Sequence, residues 1–374
     1  MARSIFRRIT KRVLLVPTVL LCVLFLLACL TPYLNPANWW FIGFLGLLLP
    51  YIIILLVFCV IFWLFAKPVL ALIPFISLCI GWKQINVLFA YHFTASFKSG
   101  NRADSCVRLI TWNVGSMYGM SNDVEKKKLD RIEIANDIKI LDPDIICLQE
   151  FNHSYTQGAG ADNIGLFREK YPYYLFSRDY DKHNGFYQSG SVIFSKYPII
   201  DSGKITYPSP IAESFIYADI RKGTDTFRVY TVHLQSFKFK PTDYADMERI
   251  KARDEETLAA SKNIFKKMKL AFSRRGIQAN TIHDFLEQNK CKSIVCGDFN
   301  DVPGSYTYFH IRGKRQDAFL KKSFGVGRTY LSLAPTLRID YILPDKNFNI
   351  LQFDMMDEGL SDHFMLVTDL SIKK

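Results

Sequence analysis

Residues 293–300 read SIVCGDFN. An apolar run closes on Cys296 and Gly297, and then Asp298, Asn300 and Asp301 arrive within four positions. A buried carboxylate is costly unless it is paired or bound to a cation. The cluster is therefore either a polar turn at the surface or part of a site.

Working outward, apolar runs of four to six residues recur along the chain. They are VRLITWN (107–113), DIICLQE (144–150), GSVIFSKYP (190–198), FRVYTVHL (227–234), RIDYILP (338–344) and FMLVTDL (364–370). Runs of this length and composition read as buried or half-buried strands. Between them, 122–141 carries apolar residues at helical spacing, and 243–289 is a long charged helical segment that reads as interrupted near Arg275-Gly276. Strands alternating with helices predict an α/β fold. Polar residues collect where the strands end: Asn113, Glu150, His233, Asp298 with Asn300, Asp340, and Ser361-Asp362-His363. Strand ends on one edge of a sheet are where α/β proteins place their chemistry. The set holds several carboxylates, two amides and two histidines with no cysteine, and its hard oxygen donors suit Mg²⁺ or Mn²⁺ and not Zn²⁺.

TWN, LQE, VHL, GDFN, RIDYIL and SDH, in that order, resemble the endonuclease/exonuclease/phosphatase superfamily over about residues 105–374. The resemblance implies a four-layer α/β sandwich with two mixed β-sheets packed face to face and flanked by helices. It also implies a metal-dependent phosphoric ester hydrolase, a phosphodiesterase acting by in-line attack of water. Glu150 would be the direct Mg²⁺ ligand, with Asn113 beside it and Asp362 near the ion. Asp298 would orient and deprotonate the attacking water, and Asn300 would hold water or a phosphate oxygen. On a strand, i and i+2 share a face, so Asp298 and Asn300 are expected on one side. His363, paired with Asp340, would contact the phosphate, and His233 would stabilise the transition state or help protonate the leaving oxygen. Asn113, Asn300 and His233 would thus also bind substrate.

The chain departs from two branches of the family. Abasic-site endonucleases usually have Tyr where His233 stands, and the inositol 5-phosphatases carry Cys-Asp-Arg where this chain reads RIDYIL. A nucleic acid and a phospholipid head group remain as phosphodiester substrates. From another class, a non-catalytic binding module on the membrane would be expected to have lost site residues, and all eight are present. The segment 177–190, SRDYDKHNGFYQSG, reads as a loop near the site, and His153 reads as an ordinary histidine. Basic clusters at 126–128, 262–275 and 312–315 read as solvated faces or phosphate-facing surfaces.

The first third has a different composition. Of the formal net charge of +12, residues 1–104 carry +8 and the remainder only +4. The basic character is thus weak evidence for a nucleic-acid surface. Residues 13–30 and 37–66 hold no charge, and 69–82 is a shorter apolar stretch after Lys67-Pro68. Runs of about 20 apolar residues span a bilayer. The expected organisation is a membrane anchor at 1–82 with two or three helices, a linker at 83–104 and a catalytic domain at 105–374. Arg3, Arg7, Arg8, Lys11 and Arg12 would stay in the cytoplasm, so three crossings would place the catalytic domain outside it. Two further apolar runs argue against a cleaved signal peptide. No CxxC spacing appears among the eight cysteines, and Cys147 and Cys296 read as small core hydrophobes.

Overall fold

The structure, a computed structural model, describes residues 2–93, 96–100, 102–121, 123–155, 161–208, 214–252 and 257–373, excepting the side chains of 2–12, 250–252 and 257–259. The chain forms two compact units. One comprises 1–89, 237–276 and 302–309; the other comprises 90–236, 277–301 and 310–374.

The larger unit contains the strands β1 (Ala90–Tyr91), β2 (Cys106–Asn113), β3 (Ile145–His153), β4 (Tyr173–Phe176), β5 (Tyr180–Lys182), β6 (Tyr187–Ser195), β7 (Ile199–Thr206), β8 (Ser214–Lys222), β9 (Asp225–His233), β10 (Ser293–Asp298), β11 (Phe324–Gly325), β12 (Asp340–Pro344), β13 (Phe348–Met356) and β14 (Met365–Ile372). A seven-stranded mixed sheet runs β13-β14-β2-β3-β6-β4, with β5 paired to β6, and a five-stranded sheet runs β12-β10-β9-β8-β7. Val107, Leu109, Ile145, Cys147 and Ile193 of the first sheet meet Ile216, Ala218, Val229, Ile294 and Cys296 of the second. Residues of the opposite parity, including Ile110, Trp112, Ile146 and Leu148, pack on Ile134, Ala135 and Ile138 of a helix spanning Val124–Ile140. β2 and β3 are therefore buried on both faces, which is why they read as continuous apolar runs. Phe285 covers the outer side of the second sheet through contacts with Phe215, Tyr217 and Tyr230. This is the mixed α/β sandwich expected from the sequence.

The other unit contains α1 (Ala2–Ala28), α2 (Phe41–Ala66), α3 (Pro68–Ile80) and α4 (Trp82–Leu88). Counting the Val124–Ile140 helix as α5 and Gly165–Arg168 as α6, the later helices are α7 (Pro241–Ala252), α8 (Thr257–Gln288), α9 (Tyr306–Arg312) and α10 (Ala318–Lys322). Among the described residues, α2 alone is long and apolar enough to cross a membrane by itself. The apolar part of α1, Val13–Ala28, is shorter, and α3 with α4 passes only as a pair bent by 66°.

α8 runs through Arg275-Gly276 without the expected interruption. Glycine there answers to packing: a Cβ at Gly276 would overlap Oδ1 of Asn35. Arg275 is buried, with its guanidinium over the rings of Phe237 and Phe272. The segment 177–190 is not a loop but the β5–β6 hairpin with its approach. β1, β4, β5, β7, β8, β11 and β13 escaped the sequence reading; β7 is an edge strand whose side chains are mostly exposed, so it lacks an apolar run. All eight cysteines are free.

Candidate active site

β2 pairs parallel with β3 and β9 parallel with β10, while β14 and β12 run antiparallel to β2 and β10. The ends of the first four and the beginnings of the last two therefore lie on one edge of the sandwich. In register, Asp298 sits between His233 and Asp340, and cross-strand partners share a face. The hydrogen bond from Asn113 Nδ2 to Asp298 Oδ2, 3.1 Å, joins the two sheets at this edge.

Asp298 Oδ2 is the hub. It also accepts from Asn300 Nδ2 at 3.0 Å, and Nε2 of His233 and of His363 each lie 3.8 Å away. Asn113 Nδ2 also reaches Glu150 Oε1 at 3.1 Å, and His233 Nε2 stands 3.7 Å from the same oxygen. His363 Nδ1 meets Asp340 Oδ2 at 3.0 Å. Asp362 is half-buried within electrostatic reach of His363 and Glu150. All eight expected site residues are thus brought to one edge.

The route of Asn300 differs from the expectation. β10 ends at Asp298, and Asn300 adopts a left-handed backbone with φ 51°. A turn, closed by the Asn300 amide on Asp298 Oδ1 at 2.8 Å, replaces the strand alternation. Asparagine tolerates this conformation better than most residues. Glu150 is also left-handed, with φ 51°, where the β3–β6 register shifts between Leu148 and Phe151. A bulge of this kind re-aims a side chain, here toward Asn113. Gly297, with φ 123°, passes so close to β9 that a Cβ would overlap the Val232 carbonyl oxygen.

Burial, then the Asp340 carboxylate, raise the pKa of Asp298, against the lowering effect of the two histidines. Burial works against a charge on His363, but Asp340 and Asp298 outweigh it and hold the imidazolium up to about 10. Burial also raises Asp362, with Glu150 adding to it. The site has supports that sequence reasoning missed. Ser361 Oγ donates to the Asn113 carbonyl at 2.7 Å and accepts from the His363 amide at 3.1 Å. Thr329 Oγ1 accepts from the amides of Ile339 and Asp340 at 2.9 and 3.1 Å. Gln149 Nε2 bridges Thr111 and Thr231, one in each sheet, beneath the cluster. Thr329 lies in a stretch without periodicity, and only the motif position of Ser361 offered a signal.

Ligand-type atoms of Asp298, Asp340 and His363 lie within 4.8 Å of one another. Asp340 already occupies Nδ1 of His363, however, and the donors around Glu150, Asn113 and Asp362 are oxygens, the better match to a hard divalent cation.

Residues 110–363 match the Endonuclease/Exonuclease/phosphatase family, and residues 11–88 match a Domain of unknown function (DUF8431). No curated protein matches the chain. Among solved structures it is similar to an endonuclease/exonuclease/phosphatase from Beutenbergia cavernae, at 17% identity and TM-score 0.50 over 72% of each chain. It is also similar to the catalytic domain of human nocturnin with bound sulfate anion (18%, TM-score 0.49, 72% of this chain and 94% of that one). A family protein from Leptotrichia buccalis gives 16%, TM-score 0.49, and 71% and 100%. At 17% identity the Beutenbergia structure bears on the fold alone. Two packed mixed sheets with carboxylates and histidines gathered at their strand ends are the frame of a metal-dependent phosphoester hydrolase. The chain belongs to the Endonuclease/Exonuclease/phosphatase family, whose members are enzymes of that class.

Proposed function

We propose that the chain is a membrane-anchored phosphodiesterase that uses Mg²⁺, with Mn²⁺ as a substitute, for in-line attack of water on a phosphodiester of a nucleic acid or a phospholipid head group. The observation that carries the reading is the convergence of Asn113, Asn300, His233 and His363 on Asp298 Oδ2. A buried carboxylate with a raised pKa, held by oriented donors, is suited to take a proton from water. Glu150, Asn113 and Asp362 would hold the cation, which neutralises charge on the phosphate oxygens when bound. Asn300 holds the water or a phosphate oxygen. His363, kept protonated by Asp340, faces the phosphate as a charged donor. His233 stabilises the charge that builds in the transition state or protonates the leaving oxygen.

Residues 1–82 are read as the anchor, 83–104 as the connection and 105–374 as the catalytic part, with three crossings and the catalytic part outside the cytoplasm. Contacts between the end of α1 and the end of α3 support this topology. A Cβ at Gly81 would overlap the ring of Phe25, and Gln84 Nε2 donates to Thr31 Oγ1 at 3.0 Å. The end of the third apolar segment thus returns to the end of the first.

The activity is tested by hydrolysis of bis-p-nitrophenyl phosphate by the full chain in detergent. Wild type should turn over with Mg²⁺ or Mn²⁺ and stop with EDTA. Asp298→Asn should lose at least about a hundredfold, the usual scale for a general base. Equal rates in wild type and variant would overturn the reading.

A further inference from the structure

We infer that a second pocket in the catalytic unit binds a phosphate monoester carried by the substrate; the inference rests on the phosphodiesterase reading above. The pocket is a cavity of about 400 Å³. The loop after β2 supplies Tyr118, the first turns of α5 supply Lys127, Lys128 and Arg131, and the end of β3 supplies Asn152 and His153. Lys127 and Arg131 are four apart on a helix and so share a face. Lys127 Nζ stands 5.4 Å from the Tyr118 ring centre.

The charges leave room for an anion. Arg131 is 8% exposed, and among the described residues its guanidinium donates only to neutral acceptors, Asn163 Oδ1 at 2.6 Å and the Asp162 carbonyl at 2.9 Å. The Asp162 carboxylate acts on the guanidinium electrostatically but does not hydrogen-bond it among the described residues; burying a cation paired so weakly is costly, and a bound anion offsets that cost. His153 is 3% exposed, and neither ring nitrogen makes a hydrogen bond among the described residues. Its Nδ1 lies 3.5 Å from Asp162 Oδ1, and Lys128 is shared with Glu125 at 2.7 Å. Buried polar atoms in folded proteins are nearly always satisfied, so His153 Nε2, which has no neighbour of this kind among the described residues, points to a ligand on the cavity wall. Arginine and lysine with a histidine and an amide suit phosphate oxygens.

The position fits one substrate held at two points. His153 follows Glu150 by three residues on β3, up to about 10 Å at roughly 3.3 Å per residue. A substrate holding its scissile diester at the catalytic cluster can place a second, terminal phosphate in the pocket.

The test compares the full chain with K127A/K128A, which alters a half-buried and an exposed helix residue outside the catalytic cluster. One arm measures kcat/KM on the p-nitrophenyl ester of thymidine 5′-phosphate, with and without a 3′-phosphate. The other uses phosphatidylcholine vesicles containing phosphatidylinositol or phosphatidylinositol 4-phosphate. Wild type should prefer the phosphorylated member in one arm, which identifies the phosphate as nucleotide or head group. The variant should lose that preference by on the order of tenfold, the scale of lost charge-assisted hydrogen bonds, and keep its rate on the other member. No preference in either arm, or one that survives in the variant, overturns the pocket. Should wild type hydrolyse none of the four, its rate on bis-p-nitrophenyl phosphate decides the phosphodiesterase reading, which fails if that too is at background. Calorimetric titration with inorganic phosphate then decides the pocket: binding lost in K127A/K128A supports it, and no binding or equal binding overturns it.

Discussion

Asp298 carries four polar neighbours on one oxygen, which offset the cost of burying the carboxylate, and the end of β2, the end of β9, the turn after β10 and the residues before β14 each place one of them. Asp340 acts one step further out, through His363. Asp340→Asn keeps the shape and removes the charge that sustains the imidazolium, so kcat is expected to fall by about 10²–10⁴, as when a histidine loses its orienting carboxylate. Rates on bis-p-nitrophenyl phosphate, with circular dichroism as a folding control, check it. Away from the site, burial would raise the pKa of Asp142, but hydrogen bonds from Lys170 and Lys196 prevail and lower it to about 2. The folded value lies below the unfolded one, so the carboxylate stabilises the fold above about pH 4 and loses that effect as pH falls toward 2. Asp142→Asn, which suits the left-handed backbone with φ 50°, should lower the melting temperature at pH 7 and converge with wild type near pH 2. A constant gap would refute the assignment. At this scale the sequence was legible: ordered motifs named all eight residues that the fold gathers at this edge. Ser361 and Thr329 were not identified as supports, because a hydroxyl that braces a backbone carries no pattern of its own.

At the scale of elements, what could be read depended on burial. β2, β3 and β10 are buried along their length and announce themselves as apolar runs. β7 is mostly exposed and carries Asp201 and Lys204, and β13 interleaves its buried Phe348, Ile350 and Phe353 with exposed or half-buried Asn349, Leu351 and Gln352, so neither shows a continuous apolar run of the β2 or β10 kind. The left-handed turns at Glu150 and Asn300 were invisible for a related reason: a positive φ at a non-glycine residue leaves only a faint trace in composition. Gly297 is the exception, since glycine was in plain view and its cause, the approach to Val232, was not. Gly297→Ala should destabilise the larger unit by about 1–3 kcal/mol from backbone strain, and by more if β9 must shift. Chemical denaturation of the full chain would measure it, and an unchanged midpoint would show that the backbone adapts.

For the whole molecule, the charge asymmetry at residue 104 suggested a clean division between anchor and enzyme. The compact units are less tidy, because 237–276 and 302–309 cluster with 1–89. Trp40 and Phe44 pack on Phe265, Phe44 and Gly43 on Phe272, and Thr31 bonds the Gly304 carbonyl at 2.5 Å. Contacts between residues more than two hundred positions apart leave no trace in local pattern, which is why no reading of runs and spacings found them. If the anchor reading holds, the full chain stays in the membrane pellet through alkaline carbonate extraction, and release into the supernatant would sink it. Residues 105–374 expressed alone should expose Phe265 and Phe272 and bind the dye ANS more strongly than the full chain in detergent.

That packing also dictates an order of assembly. The partners of Gly43 and Phe44, Phe265 and Phe272, leave the ribosome about 180 residues after Phe89 does, and at roughly 5–20 residues per second the first helices wait on the order of ten seconds for them. During that interval the faces of Gly43 and Phe44 that later meet Phe265 and Phe272 are without those partners, so a nascent chain stalled before Phe265 is expected to be more accessible there to a cysteine-directed or proteolytic probe than the finished protein.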